Sequence, residues 1–335
     1  MKNRIVIKKD ALLSITNDLK KLKDINSFAI ITDSKVKKLY GGKLLWNLKR
    51  AGLKAEIFSF REGEKSKNFN TVEQLANEMV GKNFDRDSCV IALGGGVVGD
   101  IAGFVASIYM RGIPVIQIPT TLLAMIDSGI GGKTGVNLKS GKNLIGSFHQ
   151  PLSVFIDPYF LKTLPIKHIR NGLAEAIKYG VIKSKPLFNF IDKNLEKILK
   201  LDQKILKRII ESCVKIKTEI VEKDEKEKGV RQILNYGHTF GHAVEKQSNY
   251  TLLHGFSISL GIVLANRLAV EKNILKQQDS DCIKNLLKKA GLPVYTMHKP
   301  TLKNIQNDKK KHGDSVNLIL PTKIGEVKIH KVKIA

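Results

Sequence analysis

The feature that most constrains the fold is an alternation, over the first 155 residues, between short apolar runs and amphipathic stretches. The amphipathic stretches have helical spacing, as at 71–79 (TVEQLANEM). Apolar runs of this length, alternating with helices, are typical of buried parallel strands joined by crossover helices. The first half is therefore predicted to be an α/β domain on a parallel sheet. The predicted strands are 27–31 (SFAII), 55–60 (AEIFSF), 90–93 (VIAL) and 114–118 (PVIQI).

The pattern changes after Pro151, where strand-like runs become rare and apolar residues recur with a period of 3.6. Two strand-like runs return near the end, at 316–320 and 326–334. The chain is therefore predicted to have two domains, 1–155 and a mainly helical domain at 156–335. The predicted helices of the second domain are 166–182, 187–200, 204–221, 235–245, 258–271 and 281–290.

A formal net charge of +26 is the one unusual feature of the composition. Such a charge can indicate a nucleic-acid-binding protein. However, the chain has 48 Lys and only 9 Arg, and the lysines are spread over its whole length. Arginine is the residue that reads phosphates and bases in a bidentate manner. We therefore predict no nucleic-acid partner and a lysine-rich, solvated surface.

The three cysteines, Cys89, Cys213 and Cys282, are widely spaced and form no CxxC pair. Neither a disulfide framework nor a thiolate metal site is predicted from such spacing. No segment has the roughly 20 uncharged apolar residues of a membrane span, and the N-terminus does not read as a signal peptide. The prediction is a cytoplasmic protein with no membrane partner.

A glycine-rich turn, 94–100 (GGGVVGD), follows the predicted strand 90–93 and opens a helical segment. Glycines allow a backbone to approach a pyrophosphate closely, and a helix N-terminus presents unpaired N–H groups. The turn departs from the usual dinucleotide fingerprint because it follows a late strand and has no acidic residue about 20 positions on. By itself it indicates either a tight turn or a nucleotide site.

The segment 131–135 (GGKTG) resembles part of a phosphate-binding P-loop. That motif requires a glycine at position 127, where this chain has Asp127, so a P-loop is excluded. What remains is a loop that presents Lys133 close to Asp127 and suits an anionic substrate group.

Three of the eight histidines, His238, His242 and His254, lie within 17 positions. His238 and His242 are four residues apart and share one helix face. Three imidazoles, or two with a carboxylate, can build an open zinc site, and spacing alone does not select the ligands. Glu175 is the best carboxylate candidate, because it lies with Lys178 in an otherwise apolar helix, where an ionisable group must be paired, ligating or at the polar edge of the helix.

The segments that carry these motifs run in order from residue 63 to 255, and together they resemble the 3-dehydroquinate synthase family of the shikimate pathway. They are GEKSK at 63–67, GGGVVGD at 94–100, RGIPVIQIPTTLLAMIDSGIGGKTGVN at 111–137, GKNLIGSFHQP at 141–151, LAEAIKYG at 173–180, KDEKEKGVRQILNYGHTFGHAVE at 223–245 and LLHG at 252–255.

The resemblance implies a Rossmann-like N-terminal domain, a helical C-terminal domain and an active site in the cleft between them. It assigns zinc, or cobalt, to Glu175, His238 and His254, and turns His242 towards the substrate. It also implies an NAD site, in which Lys35 stands where many members have Asn. The NAD contacts it implies are Asp33, Glu64 and Lys67 on the adenosine side, the turn Gly94, Gly95 and Gly96, and Asp100, Thr120, Thr121, Lys142 and Thr163 on the nicotinamide side.

The implied substrate is a small sugar acid phosphate, 3-deoxy-D-arabino-heptulosonate 7-phosphate. The implied reaction oxidises it transiently with NAD, eliminates phosphate, returns the hydride, opens the ring and closes a carbocycle by an aldol step. The resemblance also implies a homodimer, in which Arg111 reaches across the interface. Its substrate contacts are Asp127, Lys133, Asn143, Lys178, Lys217, Arg231, Asn235, His242 and one of Lys309 and Lys310.

Two related activities remain as alternatives. One is a sister cyclase that acts on a sugar phosphate without a carboxylate. The other is a metal-dependent polyol dehydrogenase, which would release NADH. Lys217, Arg231 and Asn235, read as carboxylate anchors, favour the shikimate enzyme over both.

Overall fold

A computed structural model gives the fold of residues 4–297, 311–312 and 315–333. The chain divides after Leu164 into an N-terminal unit, Met1–Leu164, and a C-terminal unit, Pro165–Ala335. Among the described residues, no helix is both long enough and apolar enough to cross a membrane.

Parallel strands form the centre of the N-terminal unit. Its strands are β1 (Arg4–Ile7), β2 (Ser27–Asp33), β3 (Lys54–Phe60), β4 (Ser88–Gly94), β5 (Val115–Pro119), β6 (Lys133–Leu138), β7 (Gly141–Phe148) and β8 (Ser153–Ile156). Six of them form one parallel sheet in the order β1-β8-β5-β4-β2-β3, and β6 and β7 form a separate antiparallel pair. The four predicted strands correspond to β2 to β5, which confirms the predicted parallel α/β architecture.

Two strands of the sheet, β1 and β8, have only four residues each and were not predicted. They pair with each other, and β8 also pairs with β5, so neighbouring strands order them. The predicted domain boundary after residue 155 falls inside β8. The N-terminal unit continues to Leu164 because the segment after β8 packs on it. Phe160 is buried there, with its ring centroid 4.7 Å from that of Tyr40.

Helices cover the sheet of the N-terminal unit. They are α1 (Ala11–Leu19), α2 (Ser34–Val36), α3 (Gly42–Arg50), α4 (Phe69–Gly81) and α5 (Gly96–Ile108). The predicted helix at 71–79 lies within α4, which begins where the Asn68 side chain accepts a hydrogen bond from the Thr71 N–H at 3.1 Å. Such a cap satisfies one of the N–H groups that a helix start leaves without a partner. Leu75 and Met79 of α4 pack into the buried core that includes β4 and α5.

The C-terminal unit is mainly helical, as predicted. Its helices are α6 (Ile166–Lys183), α7 (Lys185–Lys193), α8 (Leu195–Leu199), α9 (Gln203–Lys223), α10 (His238–Gln247), α11 (His254–Glu271) and α12 (Gln277–Lys289). Three antiparallel strands accompany them, β9 (Lys311–His312), β10 (Ser315–Lys323) and β11 (Glu326–Lys333). β10 contains the predicted strand 316–320, and β11 contains residues 326–333 of the predicted strand 326–334.

Close helix packing at two glycines places the histidine-bearing helices of the C-terminal unit. A Cβ at Gly255, on α11, would lie 2.0 Å from the backbone oxygen of Asn171 on α6. A Cβ at Gly261, also on α11, would lie 1.9 Å from the backbone oxygen of Gly237, just before α10. Both distances are far inside van der Waals contact, so only glycine lets α11 pack this closely. His254 and His238 are direct neighbours of these contacts.

Candidate functional site

Glu175 is the centre of a group of ionisable side chains in the C-terminal unit. It lies on α6 with 0% of its surface exposed. The Nε2 atoms of His254 and His238 are 3.3 Å and 3.7 Å from Glu175 Oε1, and Lys178 Nζ is 2.5 Å from Oε2. A buried carboxylate is costly unless it is paired or coordinates a metal. Here one oxygen faces an ammonium group and the other faces two imidazoles.

The donor set of Glu175, His238 and His254 fits a divalent metal. Their ligand atoms all lie within 4.8 Å of one another. The Nδ1 of His238 is 3.1 Å from the backbone oxygen of Tyr236, which can only accept a hydrogen bond. With the proton on Nδ1, the Nε2 atom, which faces Glu175, can present a lone pair to a metal ion. One carboxylate and two imidazoles, with a position left for substrate, are typical of catalytic zinc sites.

A second group, His242, Glu245 and His254, also brings its ligand atoms within 4.8 Å of one another. His254 belongs to both groups. Glu245 is buried on α10, one turn after His242, and was not among the predicted residues. Its only sequence signal is the spacing of three residues from His242, which places both side chains on one helix face. The geometry alone therefore allows two ligand sets.

The C-terminal unit also buries three of the predicted cationic side chains. Lys178 and Arg231 are each 1% exposed, and Lys217 is 7% exposed. Cationic side chains are rarely buried to this degree. The predicted contacts Lys178, Lys217 and Arg231 are therefore interior residues of this unit and not part of the solvated lysine surface.

The charged loop after α9 holds Arg231 and Asn235 in place. The backbone N–H of Arg231 donates to Asp224 Oδ2 at 3.0 Å, and its guanidinium donates to the backbone oxygen of Glu225. Asn235 Nδ2 donates to Glu227 Oε1 at 2.5 Å. Burial acts to raise the pKa of Asp224, but backbone N–H donors outweigh it and lower that pKa. Asp224 was not among the predicted site residues.

The glycine turn of the N-terminal unit lies where the direction of the sheet connections reverses. From β2 the chain proceeds to β3 on one side, and from β4 it proceeds to β5 on the other. In open parallel sheets, ligands bind at the carboxyl ends of the strands at such a point. Asp33 ends β2, and Gly94 ends β4 beside it, since Thr32 pairs with Leu93. This position fits a dinucleotide.

The turn is also tightly packed, which explains its glycines. A Cβ at Gly95 would lie 3.0 Å from the Thr121 side chain, and one at Gly96 would lie 2.9 Å from Ser128 Oγ. The N–H of Thr120 donates to the Gly94 backbone oxygen at 2.9 Å. Thr120 and Thr121 therefore lie next to the glycine turn. The backbone N–H groups at the N-terminus of α5 are available to bind a phosphate.

Lys67 links two further predicted residues of the N-terminal unit. It is buried, and its Nζ donates to Asp100 on α5 and to Asn143 Oδ1 on β7, the latter at 2.5 Å. Burial raises the pKa of the Asp100 carboxyl, and the Lys67 ammonium opposes that shift. The Glu64 and Asp127 carboxylates also raise it electrostatically. Nearby, Lys142 Nζ is 3.8 Å from Glu64 Oε1.

The remaining predicted residues of the N-terminal unit lie at its surface or serve local structure. Asp33 caps α2 by accepting from the N–H groups of Lys35 and Val36. Thr163 is exposed, with its Oγ1 2.5 Å from the Tyr40 hydroxyl. Lys133 on β6 and Arg111 are also exposed.

Lys309 and Lys310 lie outside the described residues. Asn137, which bonds to Glu64 and Asn143, was not predicted.

Two family profiles match the chain in succession. The profile described as 3-dehydroquinate synthase N-terminal matches residues 57–171, and that described as 3-dehydroquinate synthase C-terminal matches residues 172–311. A 3-dehydroquinate synthase from Prochlorococcus marinus (strain MIT 9515) is 45% identical over 336 residues, covering 97% of this chain and 92% of the relative. One from Desulforamulus reducens is 46% identical over 307 residues, covering 90% and 86%.

Solved structures of two synthases are also similar. The 2-epi-5-epi-valiolone synthase ValA from Streptomyces hygroscopicus subsp. jinggangensis, with NAD⁺ and Zn²⁺ bound, has a TM-score of 0.88 and 28% identity, covering 98% of this chain and 92% of that one. A 2-deoxy-scyllo-inosose synthase, with carbaglucose-6-phosphate, NAD⁺ and Co²⁺, has a TM-score of 0.88 and 27% identity, covering 98% and 93%. The identities near 45% over almost the whole chain decide the family. The chain belongs to the 3-dehydroquinate synthase family.

Proposed function

We propose that the chain converts 3-deoxy-D-arabino-heptulosonate 7-phosphate to 3-dehydroquinate and phosphate. The observation that carries this proposal is the buried Glu175, faced by two histidine Nε2 atoms and by Lys178, in a unit that also buries Lys217 and Arg231. A metal-binding group among interior cations suits a substrate that carries hydroxyls together with a carboxylate and a phosphate.

Glu175, His238 and His254 would hold the metal, and the group formed by Asp33, Gly94 to Gly96 and Lys67 would hold NAD. When bound, NAD supplies a hydride acceptor that is restored within each turnover, and zinc or cobalt supplies a Lewis acid for the substrate hydroxyls. The known structures of the two related synthases contain NAD⁺ with Zn²⁺ or Co²⁺. The remaining cofactor contacts are Glu64, Asp100, Thr120, Thr121, Lys142 and Thr163.

The substrate contacts divide by charge. Lys178, Lys217 and Arg231 compensate the anionic groups in a low-dielectric interior, where such pairing is strongest. Lys178 also contacts Glu175. The Lys178 ammonium group therefore has two tasks, because it holds the metal-binding carboxylate in place and also faces the substrate. Orientation and charge compensation are the chain's main tasks, since the leaving phosphate can take the neighbouring proton on its own oxygens. The other proposed substrate contacts are Arg111, Asp127, Lys133, Asn143, Asn235 and His242.

We also propose that the protein is a cytoplasmic homodimer. Arg111 is exposed next to two exposed apolar side chains, Ile108 and Met110, and such a surface favours a protein partner. Arg111 itself has a backbone φ of 70°, in the left-handed region. Residues other than glycine rarely adopt this conformation, and those that do are found most often at functional sites. The exposed thiol of Cys282 suits a reducing compartment.

Substrate comparison tests the proposal. The zinc-loaded protein with NAD is given the heptulosonate phosphate, a hexose phosphate that lacks a carboxylate, and glycerol. We expect phosphate release from the heptulosonate phosphate alone. Release from the hexose phosphate would favour a sister cyclase, and steady NADH formation from glycerol would favour a polyol dehydrogenase. The matched variant is Arg231→Met, which should raise KM for the heptulosonate phosphate and leave metal content unchanged.

A further inference from the structure

Asn137 stands where the pairing of β6 with β7 is irregular. Val136 pairs with Ile145, but Leu138 pairs with Gly141, so Asn137 alone faces the stretch 142–144 of the other strand. Irregularities of this kind interrupt the ladder and re-aim side chains, often beside functional sites. Because of this interruption, the stretch 142–144, which carries Lys142 and Asn143, departs from regular strand pairing.

Asn137 makes three hydrogen bonds, each to a residue of the proposed cofactor or substrate group. Its backbone N–H donates to the Lys67 backbone oxygen at 2.8 Å. Its side-chain Nδ2 donates to Glu64 Oε1 at 2.8 Å, and its Oδ1 accepts from the Asn143 N–H at 3.0 Å. The amide orientation is unambiguous, because a carboxylate can only accept and a backbone N–H can only donate.

The bond from the Asn143 N–H supports an unusual backbone. Asn143 has a φ of 54°, in the left-handed region, which asparagine tolerates better than most residues. In that conformation its side-chain oxygen accepts from Lys67 Nζ, which also contacts Asp100. The positions of Glu64, Lys67 and Asn143 thus all depend on one side chain and its backbone.

We propose that Asn137 is a positioning residue for the dinucleotide, acting through Glu64, Lys67 and Asn143. This inference rests on the proposed function, because Glu64 and Lys67 are proposed cofactor contacts and Asn143 is a proposed substrate contact. An asparagine is required at this position because the amide nitrogen must donate to the Glu64 carboxylate and the amide oxygen must accept from the Asn143 N–H. Aspartate keeps the second contact and turns the first into a repulsion between two carboxylates.

The test measures the Kd for NAD by isothermal titration calorimetry on the full chain. Asn137→Asp should raise that Kd by about 10-fold, the effect of losing a hydrogen bond to a charged group. The double variant Glu64→Gln with Asn137→Asp reverses the polarity of the pair, since the new amide can donate to the new carboxylate. Its Kd should be lower than that of Asn137→Asp alone, which a merely structural role would not produce.

The matched control is Asn26→Asp. Asn26 Nδ2 donates to Asp85 Oδ2 at 2.8 Å on the surface of the same unit, just before β2 begins. This variant creates the same repulsion far from the carboxyl ends of the strands, so the Kd for NAD should not change. Equal NAD affinity in Asn137→Asp and Asn26→Asp, or no recovery in the double variant, would overturn the inference. Wild-type protein that binds no NAD would overturn the proposed function and this inference with it.

Discussion

The two units hold their charged groups in different ways. In the C-terminal unit, Glu175 is buried within α6, and its partners come from segments about 60 and 80 positions further along, brought together by close helix packing. In the N-terminal unit, the Lys67 ammonium group donates hydrogen bonds to both Asp100 and Asn143 and so links a turn, a helix start and a hairpin. The group around Glu175 is therefore held in place by the helical core of its unit, and the group around Lys67 is held in place by contacts between loops and element ends.

This difference predicts how variants will separate. Changes in the first group should affect metal binding and the free energy of unfolding together, because the same side chains serve both. Changes in the second group should alter the affinity for NAD and leave the zinc content unchanged, since these side chains lie in the other unit and hold no metal-binding residue in place.

The largest expected effect distinguishes the two possible ligand sets. His238→Ala should weaken zinc binding by more than about 100-fold, because the substitution removes a metal ligand and not merely a residue that hydrogen-bonds to a ligand. His242→Ala, four residues later on the same helix, should keep one zinc per chain and lose activity through the substrate. Zinc content by mass spectrometry and a zinc titration measure both. The reverse pattern would assign the metal to His242, Glu245 and His254.

The next effect concerns stability. Glu175→Ala leaves Lys178 buried opposite no carboxylate, and breaking a buried pair in this way costs about 3–5 kcal/mol. Adding Lys178→Met replaces both charges by apolar groups and should restore most of that loss, although both proteins lack activity. Urea denaturation of the metal-free proteins measures it. A double variant no more stable than Glu175→Ala would show that the pair is not the cause.

A surface pair of the same unit provides the control for that experiment. Lys289 Nζ is 3.0 Å from Asp192 Oδ1, and both side chains are exposed. Asp192→Ala should therefore cost less than about 1 kcal/mol.

In the N-terminal unit, Lys67→Met should raise the Kd for NAD by about 10-fold, since Asp100 and Asn143 lose their shared donor. Zinc content should stay at the wild-type value. The control is Lys49→Met, which removes an exposed lysine 3.2 Å from Glu56 and should leave the Kd unchanged. NADH fluorescence titration measures the affinity. A loss of zinc in Lys67→Met would contradict the separation of the two groups.

The smallest effect is a pH dependence at Asp33. Burial raises the pKa of Asp33 in the folded state, against the N–H groups of Val36 and Lys35, which lower it. The folded protein then holds this proton more tightly, so the contribution to stability is lost as pH rises from the ordinary value of 3.8 through the raised pKa. Asp33→Asn keeps the α2 cap but does not titrate. Wild type should therefore lose stability relative to Asp33→Asn as the pH rises from acid through the raised pKa towards neutrality.

Urea midpoints of the two proteins across that pH range provide the measurement. Parallel curves, or a wild type that gains stability relative to Asp33→Asn as pH rises, would contradict the predicted direction.

The sequence predicts what depends on local pattern. The strands β2, β4 and β5 are recognisable because each is a mainly apolar run buried on both faces, whereas β3, at the edge of the sheet, is only partly buried. The strands β1 and β8 are not recognisable, because four residues become a strand only by pairing with neighbours. The domain boundary shows the same limit, because Phe160 belongs to the N-terminal unit through its contact with Tyr40 and not through its own neighbours in sequence.

The site shows a similar division. Glu175 is recognisable because a charge within an apolar helix requires a partner, and the resemblance then selects it from the alternatives. The spacing of the histidines predicts a metal group but not its members, and the structure explains why, since His254 completes both sets. Glu245 and Asn137 escape detection because a glutamate in a helix and an asparagine in a hairpin look solvated until the fold brings their partners near.

The most direct test of the central claim is to measure phosphate and NADH together during turnover of the heptulosonate phosphate by protein of known zinc content. If NAD is restored within each cycle, phosphate should accumulate in proportion to 3-dehydroquinate while NADH absorbance stays flat. NADH that rises in step with product, or product that forms without phosphate, would contradict the account.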